Sequence, residues 1–170
     1  MVFLAPAEKG NVDAIATLLE QMDRFYGATG TEPLERRARQ ISDAIFSDPP
    51  AGHALLAWDD AQLVGIAAYS FLWPAVGLTR SLFLKELYVV RDHWRTGVGR
   101  LLMKGLFEVA AKHECSRVEW MTDLDNANAQ QFYDALGFPQ DPTKLFYRVQ
   151  GQELLRAAHD DTSATPHEPK

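Results

Sequence analysis

What the chain lacks narrows the field first. It has one cysteine, Cys115, which excludes an intramolecular disulfide and a cysteine metal cluster. His53, His93, His113, His159 and His167 show no metal-ligand spacing. No apolar run approaches the ~18 residues of a membrane span. The N-terminal stretch has no basic segment followed by an apolar one, as a secretory signal would. Basic charge is also scarce: 17 Lys and Arg face 23 Asp and Glu, a net charge of −6. That weighs against a nucleic-acid-binding surface and suits a cationic small substrate. A P-loop would need G-x-x-x-x-G-K-[ST], and no such run occurs. The expectation is a cytoplasmic protein with no metal, no membrane partner and no nucleic-acid partner.

What is present reads as one globular domain. The chain has 170 residues, of which 46% are hydrophobic and 24% charged, ordinary values for a globular protein with a sizeable core. Its most informative stretch runs from Ser81 to Leu106, with the helix it opens continuing beyond. Phe83 to Val90 is apolar, aromatic and β-branched, as a strand requires. Arg91 to Thr96 breaks that run. Gly97-Val98-Gly99 follows, and Val98, Leu101, Leu102, Leu106, Val109 and Ala110 then form one helical stripe. Arg100, Lys104, Glu108 and Lys112 repeat on the opposite face, with Lys104 and Glu108 spaced to pair.

Two glycines before a helix suit a phosphate group. A helix N-terminus exposes unpaired N–H groups and a partial positive charge, and glycine lets a ligand approach the backbone. Arg95 and Arg100 flank the turn with cationic donors. A loop that only packs a strand on a helix would use the same residues. A dinucleotide fingerprint fits incompletely: Asp123 and Asp125 lie at a tolerable distance, but Gly97-x-Gly99 is followed by Leu102 and not a third glycine.

A third reading brings in a second segment. The stretch LYVVRDHWRTGVGRLLM resembles the central [RQ]-x-x-G-x-[GA] motif of the GCN5-related N-acetyltransferase (GNAT) family. Asn126 to Phe138, NANAQQFYDALGF, is similar to that family's later N-x-x-A-x-x-F-Y-x-x-x-G-F motif. The resemblance spans Val2 to Val149 and lies nearest the polyamine and diamine branch. It departs at Trp94, where the pattern has Arg or Gln, and at Lys85, where that branch has the first of two adjacent acids.

The resemblance implies the site. Acetyl-CoA would be the cosubstrate, without metal. Arg95, Thr96, Gly97, Val98, Gly99 and Arg100 would hold its pyrophosphate, with Arg95 substituting at the departure. Leu87, Tyr88 and Val89 would pair their backbone with the pantetheine arm like an added strand. Asn126, Ala129 and Phe132 would line the cleft, Asn126 also being placed to cap a helix. Tyr133 would protonate the leaving thiolate, since a phenol of pKa about 10 can donate to it. Glu86 would accept the proton of the attacking amine. Strand alternation puts Lys85 on the opposite face. A buried tyrosine and a salt-bridged glutamate are the plainer readings of these two positions. Phe25, Tyr26, Phe71 and Trp73 could line the acceptor pocket or simply pack in the core. Cys115 near His113 suggests a nucleophile–base pair, but direct transfer needs none.

The remaining chain supplies the frame. Val2 to Ala5 reads as a strand. A helix capped by Asn11 runs to about Tyr26, and Glu32 to Phe46 reads as a second, with Leu34, Ala38, Ile41 and Ile45 inward. Arg36, Arg37, Arg39 and Asp43 would form its solvated face. His53 to Trp58 and Gln62 to Phe71 read as a hairpin turning at Asp59-Asp60. Ser116 to Met121 is a strand, and a helix follows from Asp125 or Asn126 to Leu136, closed by Gly137. Leu145 to Val149 is a last strand and Gln152 to His159 a short helix.

The expected class is α/β (α+β): a mixed sheet of six to seven strands with a splayed acetyl-CoA cleft. Residues 1–150 would form the catalytic domain, and residues 151–170 a short helix and a disordered tail. The expected activity is acetyl transfer to a primary amine of a small molecule, namely a diamine, polyamine, amino acid or amine antibiotic. Acetylation of a protein N-terminus or lysine is the enzyme alternative, and a non-catalytic acyl-CoA-binding module the alternative of another class. A homodimer is left open.

Overall fold

The computed structural model describes residues 1–159; the expected disordered tail lies outside the described residues. The strands are β1 (Val2–Pro6), β2 (His53–Asp59), β3 (Gln62–Leu72), β4 (Ser81–Val89) and β5 (Arg117–Trp120). The helices are α1 (Val12–Phe25), α2 (Leu34–Ile45), α3 (Val98–Lys112), α4 (Ala127–Leu136) and α5 (Gly151–His159). The chain divides into two compact units, Met1–Phe132 and the residues from Tyr133 on.

The first unit is a three-layer sandwich. Its sheet has the order β1-β2-β3-β4-β5. The first four strands are antiparallel neighbours, and β4 pairs with β5 in parallel. The middle of β2 and of β3 is a continuous apolar run, Ala54 to Ala57 and Leu63 to Ala67, because both faces are covered. On one face Ile15 and Leu18 of α1 pack with Leu56, Ile66 and Tyr88, joined by Ile41 and Ile45 of α2. On the other, α3 buries Val98, Leu102, Met103 and Leu106. The expected Lys104–Glu108 ion pair forms on its solvent side.

Several expectations are corrected. The described residues form five strands, not six or seven. Leu145 to Val149 makes no strand, with Leu145 and Tyr147 more than four-fifths exposed. Strand propensity is a preference for a pleated, half-buried surface and needs a pairing partner. Asn11 does not cap α1 with its side chain. A short 3₁₀ turn (Lys9–Asn11) leads into the helix, and Asn11 Oδ1 accepts instead from the Glu8 N–H at 2.9 Å. Leu34 is exposed at the start of α2. Arg37 leaves the solvated face: its side chain is only 11% exposed and reaches Asp23 of α1 at 3.1 Å. A guanidinium with a carboxylate opposite can be drawn between two helices.

In the second unit α5 forms at the expected place, and Gly137, at φ +83°, closes α4 with its N–H bonded to the Asp134 carbonyl.

Candidate active site

The site grows from the point where β4 outlasts β5. Their parallel ladder runs from Ser81–Arg117 to Leu84–Trp120 and stops. Beyond it β4 continues to Val89, bonded to β3 on one side only. Val90 N–H bonds to the Val64 carbonyl of β3 at 2.9 Å. In a strand the backbone groups of successive residues turn to opposite edges. Tyr88 therefore turns its N–H and C=O to Ile66 on β3, while Leu87 and Val89 turn theirs to the open edge. Of the three residues expected to pair through backbone, only Leu87 and Val89 have it available. Tyr88 is 7% exposed and belongs to the core.

The β3–β4 register shifts between Ala68 and Tyr69, leaving Lys85 as the extra residue of a bulge between Leu84 and Glu86. The bulge interrupts the alternation that would have parted Lys85 from Glu86. Their charged groups lie 3.8 Å apart. Lys85 is exposed and Glu86 half-buried. Glu86 shares the face of Tyr88, the one covered by α1. Burial raises its pKa first; Lys85 lowers it, and Asp23 and Asp123 raise it further. Burial also raises the pKa of Tyr26 at the end of α1, aided by Glu86 and Asp123. Asp23, Tyr26 and Asp123 thus share an electrostatic environment with Glu86. The sequence reading gave neither acid a role beside Glu86. The available signal was topological: β4 and β5 are parallel, so the segment leaving β5 comes near the end of β4.

The turn into α3 begins with Trp94, whose indole N–H donates to the Val89 carbonyl at 2.7 Å. Thr96 does not point its hydroxyl outward; it donates to the His93 carbonyl at 2.7 Å. Arg95 takes φ +60° and is exposed. Gly97 sits at φ +96°, a left-handed conformation that glycine adopts without steric cost, and no side chain caps the helix that follows. Val98 is buried against the sheet, and Arg100 is exposed. The turn therefore offers backbone N–H groups and Arg95 outward.

The central motif and the first part of the later one meet here. A Cβ on Gly99 would stand 3.2 Å from Cζ of Phe132, so the Phe132 ring lies directly over the start of α3. Asn126 spends its side-chain oxygen on the Ala129 N–H at 3.1 Å, which is capping of α4. Ala129 is half-buried on that helix, and Tyr133 stands half-buried at the start of the second unit.

Other candidates separate from this place. Phe71 packs on His113 at 4.8 Å and on His53 at 5.4 Å, at the far end of α3 from Gly97. Trp73 is exposed and donates to the Leu78 carbonyl. Burial raises the pKa of Cys115, the opposite of an activated thiol. A polar hollow of about 210 Å³ is lined by Arg24, Ala28, Thr29 and Thr31 after α1. Among the described residues no three His, Cys, Asp or Glu converge as metal ligands, and no helix is long and apolar enough to cross a membrane.

A strand edge left open beside an uncapped helix start, with Phe132 across it, matches a known architecture. The profile of the acetyltransferase (GNAT) family matches residues 15–138. The chain belongs to that family. It is an acetyltransferase, and the family's cosubstrate is acetyl-CoA. The chain is 24% identical over 170 residues to a thialysine N-ε-acetyltransferase of Bos taurus, covering 92% of this chain and 97% of that one. It is 22% identical over 165 residues to a spermidine/spermine N(1)-acetyltransferase-like protein of Homo sapiens, covering 91% of this chain but 23% of the larger one. These likenesses support the resemblance to the polyamine-like branch. Among solved structures, an integron cassette protein from the mobile metagenome of V. cholerae superimposes with a TM-score of 0.86 at 25% identity, covering 93% and 98% of the two chains.

Proposed function

We propose that this protein transfers the acetyl group of acetyl-CoA to a primary amine of a small cationic molecule, such as a diamine, a polyamine or a basic amino acid. The observation that carries this reading is Glu86, a half-buried carboxylate at the open end of β4 whose pKa is raised by its burial and further by Asp23 and Asp123. A half-buried carboxylate whose charge is opposed by burial and by two further acids favours a cation, which relieves that penalty. The relative named for thialysine supports an amine of this kind.

The residues divide the work as follows. The open-edge groups of Leu87 and Val89 hold the amide-bearing arm of acetyl-CoA, and the N–H groups after Gly97, with Arg95, hold its phosphates. Acetyl-CoA supplies an activated acyl carbon. Glu86, directly or through water, takes the proton that the ammonium must lose before its nitrogen has a lone pair. A raised pKa makes it the stronger base while it stays ionised. The amine nitrogen bonds to the acyl carbon, the C–S bond breaks, Tyr133 gives the departing thiolate its proton, and the second proton shed by the nitrogen restores the phenol through solvent. No enzyme nucleophile takes part, which agrees with the pKa of Cys115 being raised by burial.

The test is a panel of amines incubated with acetyl-CoA, following free thiol and the mass of the product. Acetylated diamines, polyamines or basic amino acids are expected. Thiol release with none of these amines, but with a peptide N-terminus or a peptide lysine, would move the acceptor to protein. CoA binding without turnover of any amine would leave a binding module.

A further inference from the structure

Trp94 stands where the family pattern has Arg or Gln, and the structure gives it other work. The indole has one donor and no acceptor. That donor is engaged with the Val89 carbonyl at 2.7 Å, so it is not available to a phosphate. Val89 is one of the two residues whose backbone turns to the open edge of β4, past the end of the β4–β5 ladder. The indole is in turn braced from α1. The Phe25 ring meets it edge to face, with centroids 5.5 Å apart at 86°, and also contacts Tyr88 at 6.4 Å. A side chain thus closes one carbonyl of an edge whose other groups have no strand partner.

We propose that Trp94 is a positioning residue that fixes where the acetyl-CoA arm lies along β4. Occupying the Val89 carbonyl ends the usable edge there. The Leu87 N–H and C=O and the Val89 N–H remain for the arm. Backbone pairing on a bare edge can slip along the strand, because each hydrogen-bonding residue has an equivalent two positions on. Capping Val89 removes that alternative and leaves one register. With its one donor used there, Trp94 leaves phosphate contact to Arg95 and the loop N–H groups. The proposal rests on the acetyl-CoA reading above.

The experiment follows the four indole N–H signals of the ¹⁵N-tryptophan-labelled protein, with free CoA as the probe. Trp94→Phe assigns the signal; it keeps a ring against Phe25 and removes the donor. The Trp94 indole proton is expected to exchange slowly in the free protein and to stay protected with CoA bound. Trp94→Phe is expected to raise the Kd of CoA about 3- to 10-fold, the worth of one hydrogen bond. The Kd of adenosine 3′,5′-bisphosphate, which lacks the arm, should stay within about twofold. Loss of indole protection on adding CoA would mean that the arm takes the carbonyl, and the proposal fails. Equal weakening of both probes would reduce Trp94 to a loop support, and an unchanged CoA Kd would remove its role; either overturns the proposal. The exchange measurement uses the wild-type chain, with backbone-linked assignment if the variant does not fold. Failure of the wild type to bind CoA would instead sink the acetyl-CoA reading and this proposal with it.

Discussion

The two ends of the β3–β4 pair use aromatic residues in contrasting ways. At the β4 start, Phe71 meets His53, Tyr69 and His113 ring on ring, with Arg80 5.9 Å from the Phe71 centroid. Burial lowers the pKa of His53, favouring its neutral form, and raises that of Tyr69. There β4 has a partner on each side, and the rings close the layer. At the β4 end the partner on one side has stopped. Phe25 packs on both Tyr26 and Trp94, but one edge of the strand has no strand partner, and half-buried Glu86 lies beside it with its pKa raised by burial and by Asp23 and Asp123. Rings that fill space at one end brace an opening at the other. The difference lies in whether the neighbouring strand continues.

The largest expected effect falls on the proposed proton donor. Tyr133→Phe removes a hydroxyl and keeps the ring, so folding and CoA binding should survive. Loss of the proton donor should lower kcat about 10²–10⁴-fold with little change in KM. Steady-state kinetics at fixed pH decides this, and near-wild-type kcat would remove Tyr133 from the chemistry.

Next comes Glu86→Gln, read as a pH profile. The Glu86 carboxyl is held above the ordinary glutamate range. It is therefore protonated, and lost as a base, at a higher pH than an exposed glutamate would be. Wild-type kcat/KM should fall as pH drops through that raised pKa. The variant should lack this limb and lose about 10²-fold at neutral pH. The defect should shrink as pH rises, because more of the amine is already unprotonated. A defect that does not vary with pH would argue that Glu86 only binds the cation.

The smallest effect on the cofactor is expected at the closed end. Phe71→Ala should cost about 1–3 kcal/mol of stability through lost ring contacts. A thermal melt would show this, while the Kd of CoA should stay within about twofold. A large loss of CoA affinity in a folded Phe71→Ala protein would erase the contrast between the ends.

Much of this was legible in the sequence where the signal is local. The β2–β3 hairpin, the strand–turn–helix around Gly97, the Asn126 cap and the Gly137 stop each depend on neighbouring residues, and each forms where the pattern put it. What escaped depends on distant partners. The bulge at Lys85 comes from the β3 register. The burial of Arg37 comes from Asp23, 14 residues away. The strand pattern of Leu145 to Val149 reflects propensity without a partner. Trp94 was readable only as a departure from a pattern. Its hydrogen bond to Val89 is made by the chain folding back, and no periodicity carries that information.

The central claim is that acetyl-CoA lies along the open end of β4 and over the start of α3. Amide hydrogen exchange with and without CoA tests it most directly. The account predicts slowed exchange on CoA binding in Leu87, Val89 and the residues from Arg95 to Leu101, with Tyr69, Phe71 and His113 unchanged. Protection centred on Phe71 and His113, or CoA binding that leaves Leu87 to Leu101 exchanging as before, would contradict it.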